Sequence, residues 1–173
     1  MQVCSTKRLI LRCINIKDAG FYLKMVNEPS WIKNIGDRGI HDVQQAEAAL
    51  LNGPIASQHK NGFSLYIVER KEDSVAMGIC GLIKRDYLET ADIGYAFLPE
   101  YWGRGYALEA AQSVLHYARE ELGMTSIAAM TFPDNLSSQH LLRKLGFSLI
   151  DVLTLEGDQK KTHLYVQQDL SEL

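Results

Sequence analysis

The stretch Leu98-Pro99-Glu100-Tyr101-Trp102-Gly103-Arg104-Gly105-Tyr106-Ala107-Leu108-Glu109 predicts a strand, a glycine-rich turn and a helix in direct succession. An apolar run ends at Leu98, and a helical pattern begins after Gly105. The first turn of a helix leaves several backbone N–H groups unpaired at the positive end of the helix dipole. Such a turn can hold a phosphate or pyrophosphate, and glycines at positions 103 and 105 let the backbone approach that ligand closely.

Composition indicates one globular domain. The chain has 173 residues, of which 46% are hydrophobic and 23% charged, and this is enough chain to bury a core. The net charge of −3 does not favour sequence-independent binding to nucleic acid. The N-terminal residues lack the apolar segment of a secretory signal, and no apolar run approaches the length of a membrane span. We therefore expect a single cytoplasmic domain over residues 1–173, with neither nucleic acid nor membrane as a partner.

The cysteines indicate reduced thiols rather than a disulfide framework. Cys4, Cys13 and Cys80 are odd in number and lie far apart. They show neither a CxxC pair nor the Cys/His spacing of a zinc site. We expect mostly buried free thiols and no metal.

Hydrophobic periodicity predicts the element order β-α-α-β-β-β-α-β-α-β-β. The predicted strands cover residues 8–13, 63–69, 75–83, 90–98, 126–130, 147–153 and 162–166. Gly78 and Gly81 lie inside the third of these strands and indicate a bulge or the close approach of another backbone. Gly53-Pro54 predicts a helix break, and the polar residues 156–160 predict a loop. This order is typical of a mixed α/β or α+β domain.

Two motifs in this order resemble the GNAT N-acetyltransferase superfamily. The first is the turn at residues 102–107, and the second is Asn135-x-x-Ser138-x-x-Leu141-Leu142-x-Lys144-Leu145-Gly146-Phe147. Residues 94–110 are similar, more narrowly, to the branch that acetylates the N-termini of ribosomal proteins. The resemblance covers nearly the whole chain. It implies a central, mostly antiparallel sheet that is flanked by helices and splayed between the fourth and fifth predicted strands.

The resemblance also implies acetyl-CoA as cosubstrate. The family's acetyl-CoA loop is usually Gln/Arg-x-x-Gly-x-Gly/Ala, and here Trp102 stands where Gln or Arg is usual. We therefore expect the pyrophosphate to rely on backbone N–H groups. The residues expected to bind it are Trp102, Gly103, Arg104, Gly105, Tyr106 and Ala107.

Phe97 and Leu98, at the end of the fourth predicted strand, are expected by the same resemblance to pair with the pantetheine amide. One backbone N–H at this position can also face the thioester carbonyl as an oxyanion donor. Pro99 has no N–H, so the donor is Leu98 or Phe97.

Asn135 and Ser138 lie one turn apart, at the start of the second motif's helix. The resemblance implies that Asn135 binds the pantetheine arm, whereas a helix N-cap would by itself explain an asparagine there. It implies that Ser138 donates a proton to the leaving thiolate, directly or through water, a task that tyrosine performs in many GNAT enzymes. The alternative for Ser138 is a serine on the surface of a helix.

Candidates for contacting the acceptor lie elsewhere in the chain. Asp92, on the fourth predicted strand, is a candidate general base because an acidic residue is unfavourable in a strand unless it faces a cleft or an edge. The alternative is a strand residue that faces solvent. Trp31, Asp37 and Arg38 lie on segments that wall the acceptor site in the family, although Trp31 fits the core equally well.

Taken together, the resemblance implies an enzyme that moves an acetyl group from acetyl-CoA to a primary amine by direct transfer in a ternary complex. The acceptor is a protein N-terminus or a small amine, and the enzyme is a monomer or a homodimer. A non-catalytic acyl-CoA-binding module of the same fold is the alternative. A dinucleotide-binding domain fits less well, because Leu108 occupies the third glycine position of GxGxxG.

Overall fold

One sheet organises the protein in the computed structural model, which describes residues 1–154 and 161–168. Its strands are β1 (Gln2–Ser5), β2 (Leu9–Cys13), β3 (Leu65–Arg70), β4 (Ala76–Ile83), β5 (Asp92–Phe97), β6 (Ser126–Thr131), β7 (Ser148–Thr154) and β8 (Lys161–Gln168). They lie in the order β1-β2-β3-β4-β5-β6-β8-β7. The β5–β6 pair is parallel and the other described pairs are antiparallel, which confirms the mixed α/β class with a mostly antiparallel sheet.

Helices cover both faces of this sheet. They are α1 (Ala19–Val26), α2 (Pro29–Asn34), α3 (Val43–Leu50), α4 (Ala56–Asn61), α5 (Tyr106–Glu120) and α6 (Leu136–Lys144). One core cluster packs α5 and α6 on the sheet and includes Val114, Leu115, Leu142 and Tyr66. A second cluster packs α1, α2 and α3 on the opposite face and includes Met25, Trp31, Leu50 and Ile79. Burial of apolar side chains on both faces is the main stabilising term of such a layered fold.

Two local expectations fail. β1 was not predicted, because its four residues carry one buried side chain, Cys4, and no clear apolar alternation. The helix break at Gly53-Pro54 is also wrong. A π-helical turn over Leu51–Ile55 accommodates Pro54 and continues directly into α4. The predicted loop at 156–160 lies outside the described residues.

The glycines of β4 confirm the expected close backbone approach. A Cβ atom built on Gly78 would lie 2.3 Å from the carbonyl oxygen of Ala96, and one on Gly81 would lie 2.2 Å from that of Ser64. No side chain fits at either position, so β3, β4 and β5 pack tightly against one another. β5 is therefore held firmly along its β4 edge.

The other edge of β5 opens. β5 pairs with β6 only at Asp92–Ala128 and Ile93–Ala129, and the two strands separate beyond these pairs. β5 and β6 are the fourth and fifth of the strands predicted from the sequence, since β1 was not predicted. The splay therefore lies where it was expected, which confirms that part of the fold.

The three cysteines are free, as expected, with Cys4 and Cys80 buried. Desolvation by burial raises the pKa of the Cys4 thiol to about 11. Within the described residues, no helix has the length and apolar character that a membrane span requires.

Candidate active site

A cavity of about 780 Å³ lies at the splay between β5 and β6. We call its first side the α5–α6 wall, which includes Gly103, Gly105, Tyr106, Asn135 and Ser138. We call its second side the α1–α2 wall, which includes Glu28, Trp31, Arg38, Arg85 and Asp92. Because helices from opposite faces of the sheet contribute to the two walls, two ligands can enter from opposite sides.

The glycine turn (residues 102–105) forms one end of the α5–α6 wall. Gly103 and Gly105 have φ angles of +70° and +78°, in the left-handed region that favours glycine. Gly105 is the N-cap of α5 and has no side chain with which to cap the helix. The first N–H groups of α5 are therefore left to a ligand, which is the arrangement that suits a pyrophosphate.

The N-terminal segment of the chain holds this turn in place. Arg8 donates through Nε to Glu109 Oε2 at 2.6 Å and through Nη1 to the carbonyl oxygen of Arg104 at 3.0 Å. Its guanidinium lies 4.5 Å from the ring centroid of Tyr106. Thr6 Oγ1 also donates to Glu109, at 2.6 Å. These hydrogen bonds help to lower the pKa of the Glu109 carboxyl against the opposing effect of burial.

Trp102 uses its polar atom for a contact within the protein. Its indole Nε1 donates to the carbonyl oxygen of Phe97 at 2.8 Å, so the side chain ties the glycine turn to the end of β5. This contact explains why a tryptophan can stand where the family usually has Gln or Arg. Trp102 still lines the cavity, but Arg104 is exposed and is not among the lining residues of the described chain.

The register of β5 decides between the two expected oxyanion donors. The N–H of Leu98 donates to the carbonyl oxygen of Met77 at 3.0 Å, and its side chain is buried beneath α1 and α2. Leu98 is therefore excluded as the oxyanion donor, because its N–H is used by the sheet, and its contact with the pantetheine arm stays a prediction. Backbone groups alternate along a strand, so those of Tyr95 and Phe97 face the splay instead. Phe97 is the remaining candidate donor.

Ser138 has a partner that the sequence analysis missed. The hydroxyl of Tyr95 lies 2.7 Å from Ser138 Oγ, and both residues line the cavity. Burial raises the pKa of Tyr95 further above its ordinary value of 10.0, so the phenol is protonated at neutral pH with or without this shift. Ser138 is half-buried and hydrogen-bonded rather than a fully exposed serine on the helix, and its role as proton donor stays a prediction.

Asn135 acts as the N-cap of α6. Its Oδ1 accepts a hydrogen bond from the N–H of Ser138 at 3.1 Å, which is the capping role that would explain this asparagine by itself. The cap uses the carbonyl oxygen and leaves the amide nitrogen of a cavity-lining side chain for a ligand. The N-cap role of Asn135 and its predicted contact with the pantetheine arm are therefore compatible.

Asp92 is buried in the α1–α2 wall rather than turned to solvent, and its side chain is 3% exposed. Both of its oxygens accept from Arg85, at 2.8 Å from Nε and 3.2 Å from Nη2. Burial raises the pKa of the Asp92 carboxyl, and the Arg85 guanidinium opposes that rise. A carboxylate that is already held by a bidentate ion pair is poorly placed to take up a proton from a substrate.

The three expected acceptor residues have different places. Trp31 is buried in the core beside Tyr22, at a centroid distance of 6.4 Å, and it also lines the cavity. Arg38 is exposed at the cavity rim. Asp37 is not among the described lining residues, because its carboxylate accepts from the N–H of Gly39 at 2.8 Å and forms a local turn. The role of Asp37 at the acceptor site stays a prediction.

With this geometry established, the protein can be placed among known proteins. The sequence profile of the acetyltransferase (GNAT) domain matches residues 8–148. The chain therefore belongs to the GNAT acetyltransferase family, as the sequence indicates. It is 30% identical to the uncharacterized N-acetyltransferase YoaA of Bacillus subtilis (strain 168) over 152 residues, which cover 87% of this chain and 85% of YoaA.

Solved structures agree in fold. RimL, the ribosomal L7/L12 α-N-protein acetyltransferase in complex with coenzyme A, has a TM-score of 0.83 at 16% identity and covers 99% of each chain. A spermidine N-acetyltransferase SpeG chimera from Vibrio cholerae and hSSAT has a TM-score of 0.77 at 20% identity, covering 95% of this chain and 96% of that one. RimL belongs to the branch that the sequence resembles, and these two likenesses concern the fold.

Proposed function

We propose that the protein transfers the acetyl group of acetyl-CoA to a primary amine by direct attack within a ternary complex. The observation that carries this proposal is the cavity at the splay, with the glycine turn on one side and the α1–α2 wall on the other. A cosubstrate and an acceptor bound on opposite sides meet where β5 and β6 separate. The proposal includes a cytoplasmic location and a monomer or homodimer.

Acetyl-CoA fits the α5–α6 wall in three places. The pyrophosphate meets the N–H groups at the start of α5, where Gly103 and Gly105 keep the approach free of side chains. The pantetheine arm runs along the free edge of β5 and past Asn135. The thioester then lies near Phe97, Tyr95 and Ser138, which line the same cavity.

Acetyl transfer needs a neutral nucleophile, a stabilised oxyanion and a proton for the leaving thiolate. The amine nitrogen bonds to the thioester carbon, and the N–H of Phe97 donates to the carbonyl oxygen as it gains charge. When the C–S bond breaks, the Ser138 hydroxyl gives its proton to sulfur. Tyr95 donates to Ser138 Oγ and stabilises the charge left there. The proton that the nitrogen loses on becoming an amide then restores Ser138.

A protein N-terminus and a small amine are both acceptors within this proposal. Of two proteins that share the fold, RimL is named for a protein acceptor and SpeG for the small amine spermidine. The alternative function is a module that binds acyl-CoA without turnover. Asp92 does not support catalysis as the sequence suggested, whereas the Tyr95–Ser138 pair does, because a binding module has no need of a hydroxyl pair at the thioester.

Calorimetry tests the first part of the proposal. We expect heat of binding with acetyl-CoA and none with NAD, and a protein that fails to bind acetyl-CoA would overturn the assignment. Release of free thiol in the presence of a peptide or a small amine then tests transfer. Binding of acetyl-CoA without thiol release from any acceptor would favour the binding module.

A further inference from the structure

Glu28 is an acidic residue of the cavity wall whose side chain has no partner among the described residues. It lies at the corner between α1 and α2, is half-buried, and lines the cavity. It is the N-cap residue of α2, but its side chain makes no capping hydrogen bond. Among residues 1–154 and 161–168, no ion pair involves it. The local role that usually explains an acidic residue at such a position is therefore missing.

The other charged groups of the α1–α2 wall differ from Glu28. Asp92 is neutralised by Arg85, and Arg38 is exposed at the rim. The remainder of this wall is largely apolar and includes Met25, Trp31, Ile35, Leu65 and Ile79. Apolar surroundings lower the local dielectric and strengthen the attraction between a carboxylate and a cation. Within the described part of this wall, Glu28 supplies the one negative charge that an arriving ligand can neutralise.

Resting on the proposed function, we infer that Glu28 binds the ammonium group of the acceptor, and that the acceptor is an amine with a single positive charge on an apolar body. A polyamine brings a second cation to a wall whose other carboxylate, Asp92, is already paired. An unpaired second charge in an apolar site is costly. An aryl or alkyl monoamine instead places its apolar body against the side chains that surround Glu28.

The proton balance follows from this placement. The bound ammonium transfers one proton to the Glu28 carboxylate and becomes a neutral amine, which attacks the thioester carbon. The nitrogen loses its second proton as the amide forms, and that proton replaces the one that Ser138 gave to the thiolate. Glu28 releases its proton to solvent after the product leaves. The products are the acetamide, free CoA thiol and one proton.

The test compares Glu28→Gln with a matched control, Glu47→Gln. Glu47 is also a half-buried glutamate in the same helical layer, on α3, but it is not a lining residue of the cavity. With 2-phenylethylamine as acceptor, we expect Glu28→Gln to lower kcat/KM by about 100-fold, through both KM and kcat, and Glu47→Gln to leave it within about twofold. With 2,2,2-trifluoroethylamine, which is largely neutral at the assay pH, the effect of Glu28→Gln should shrink to a few-fold.

The outcomes separate this inference from the proposed function. Wild-type protein that binds acetyl-CoA but prefers spermidine to 2-phenylethylamine would overturn the monoamine class. An equal loss of activity for charged and neutral amines, or no loss in Glu28→Gln, would overturn the role of Glu28. Failure of the wild-type protein to bind acetyl-CoA would instead remove the proposed function on which the inference rests.

Discussion

The hydroxyl of Tyr95 on β5 lies 2.7 Å from Ser138 Oγ on α6, so a hydrogen bond joins a strand to a helix at the point where the sheet opens. The two residues are 43 positions apart in the sequence. Burial raises the pKa of Tyr95, so both hydroxyls carry a proton at neutral pH and either one can donate to the other. When Tyr95 is the donor, the Ser138 hydroxyl can point its own hydrogen at a ligand in the cavity.

Replacing Ser138 by alanine should lower kcat by about 100-fold, because the leaving thiolate loses its proton donor. The affinity for acetyl-CoA, measured by calorimetry, should change little, since the pyrophosphate contacts lie at the other end of the wall. Ser113→Ala is the control, because the Ser113 hydroxyl donates to the carbonyl oxygen of Ala110 within α5. Unchanged turnover in Ser138→Ala would show that Ser138 is not the acid.

Tyr95→Phe removes only the hydroxyl that supports Ser138, so we expect a smaller decrease in kcat, about 10-fold. Because Tyr95 acts through Ser138, the double variant Tyr95→Phe/Ser138→Ala should be no slower than Ser138→Ala alone. Steady-state rates of thiol release from the four proteins complete the cycle. Additive losses would mean that the two hydroxyls act independently.

Glu109→Gln should destabilise the protein by about 1–2 kcal/mol at neutral pH, because Arg8 and Thr6 lose a charged acceptor. The pKa of Glu109 is lowered from its ordinary value of 4.5 in the folded state. Its stabilising contribution is therefore complete above 4.5 and is lost as the pH falls through the lower, folded value.

Urea unfolding of both proteins at neutral and acidic pH measures this dependence. The difference in free energy of unfolding between wild type and Glu109→Gln should shrink on acidification. A difference that stays constant down to acidic pH would contradict the role of the ionised carboxylate.

Gly105→Ala should cost about 1 kcal/mol of stability, since an alanine is strained at a φ of +78°. It should also weaken acetyl-CoA binding, because the new methyl group lies at the N-cap of α5, where the pyrophosphate is expected. Gly62→Ala carries the same strain at +79°, meets no neighbour within 4 Å and lies outside the lining of the cavity, which makes it the matched control for stability. Thermal unfolding and calorimetry on both variants separate strain from ligand contact.

The sequence predicted the fold well because apolar periodicity and glycine positions are local signals. The turn at Gly103 and Gly105 could be recognised since only glycine adopts such φ angles easily. β1 escaped recognition because its pairing with β2 depends on backbone hydrogen bonds rather than on an apolar pattern.

The site was less predictable because its contacts are long-range. Arg8 bonds to Glu109 across 101 residues, and no spacing rule reports such a pair. Asp92 looked available because the sequence does not show that Arg85 folds back onto it. The choice of Phe97 over Leu98 as the oxyanion donor depends on strand register. A register shift of one residue would reverse that choice.

The hydrogen bond from Trp102 to Phe97 has a consequence for the choice of acyl donor. It fixes the spacing between the glycine turn, where we propose that the nucleotide end of the donor binds, and the end of β5, where we propose that its thioester lies. A donor that occupies both sites presents its thioester at a high effective concentration, as a bivalent ligand does. A truncated thioester, such as acetyl-N-acetylcysteamine, occupies only the site at the end of β5 and loses that gain in effective concentration. The separation of the two sites therefore selects a donor whose nucleotide and thioester lie a matching distance apart.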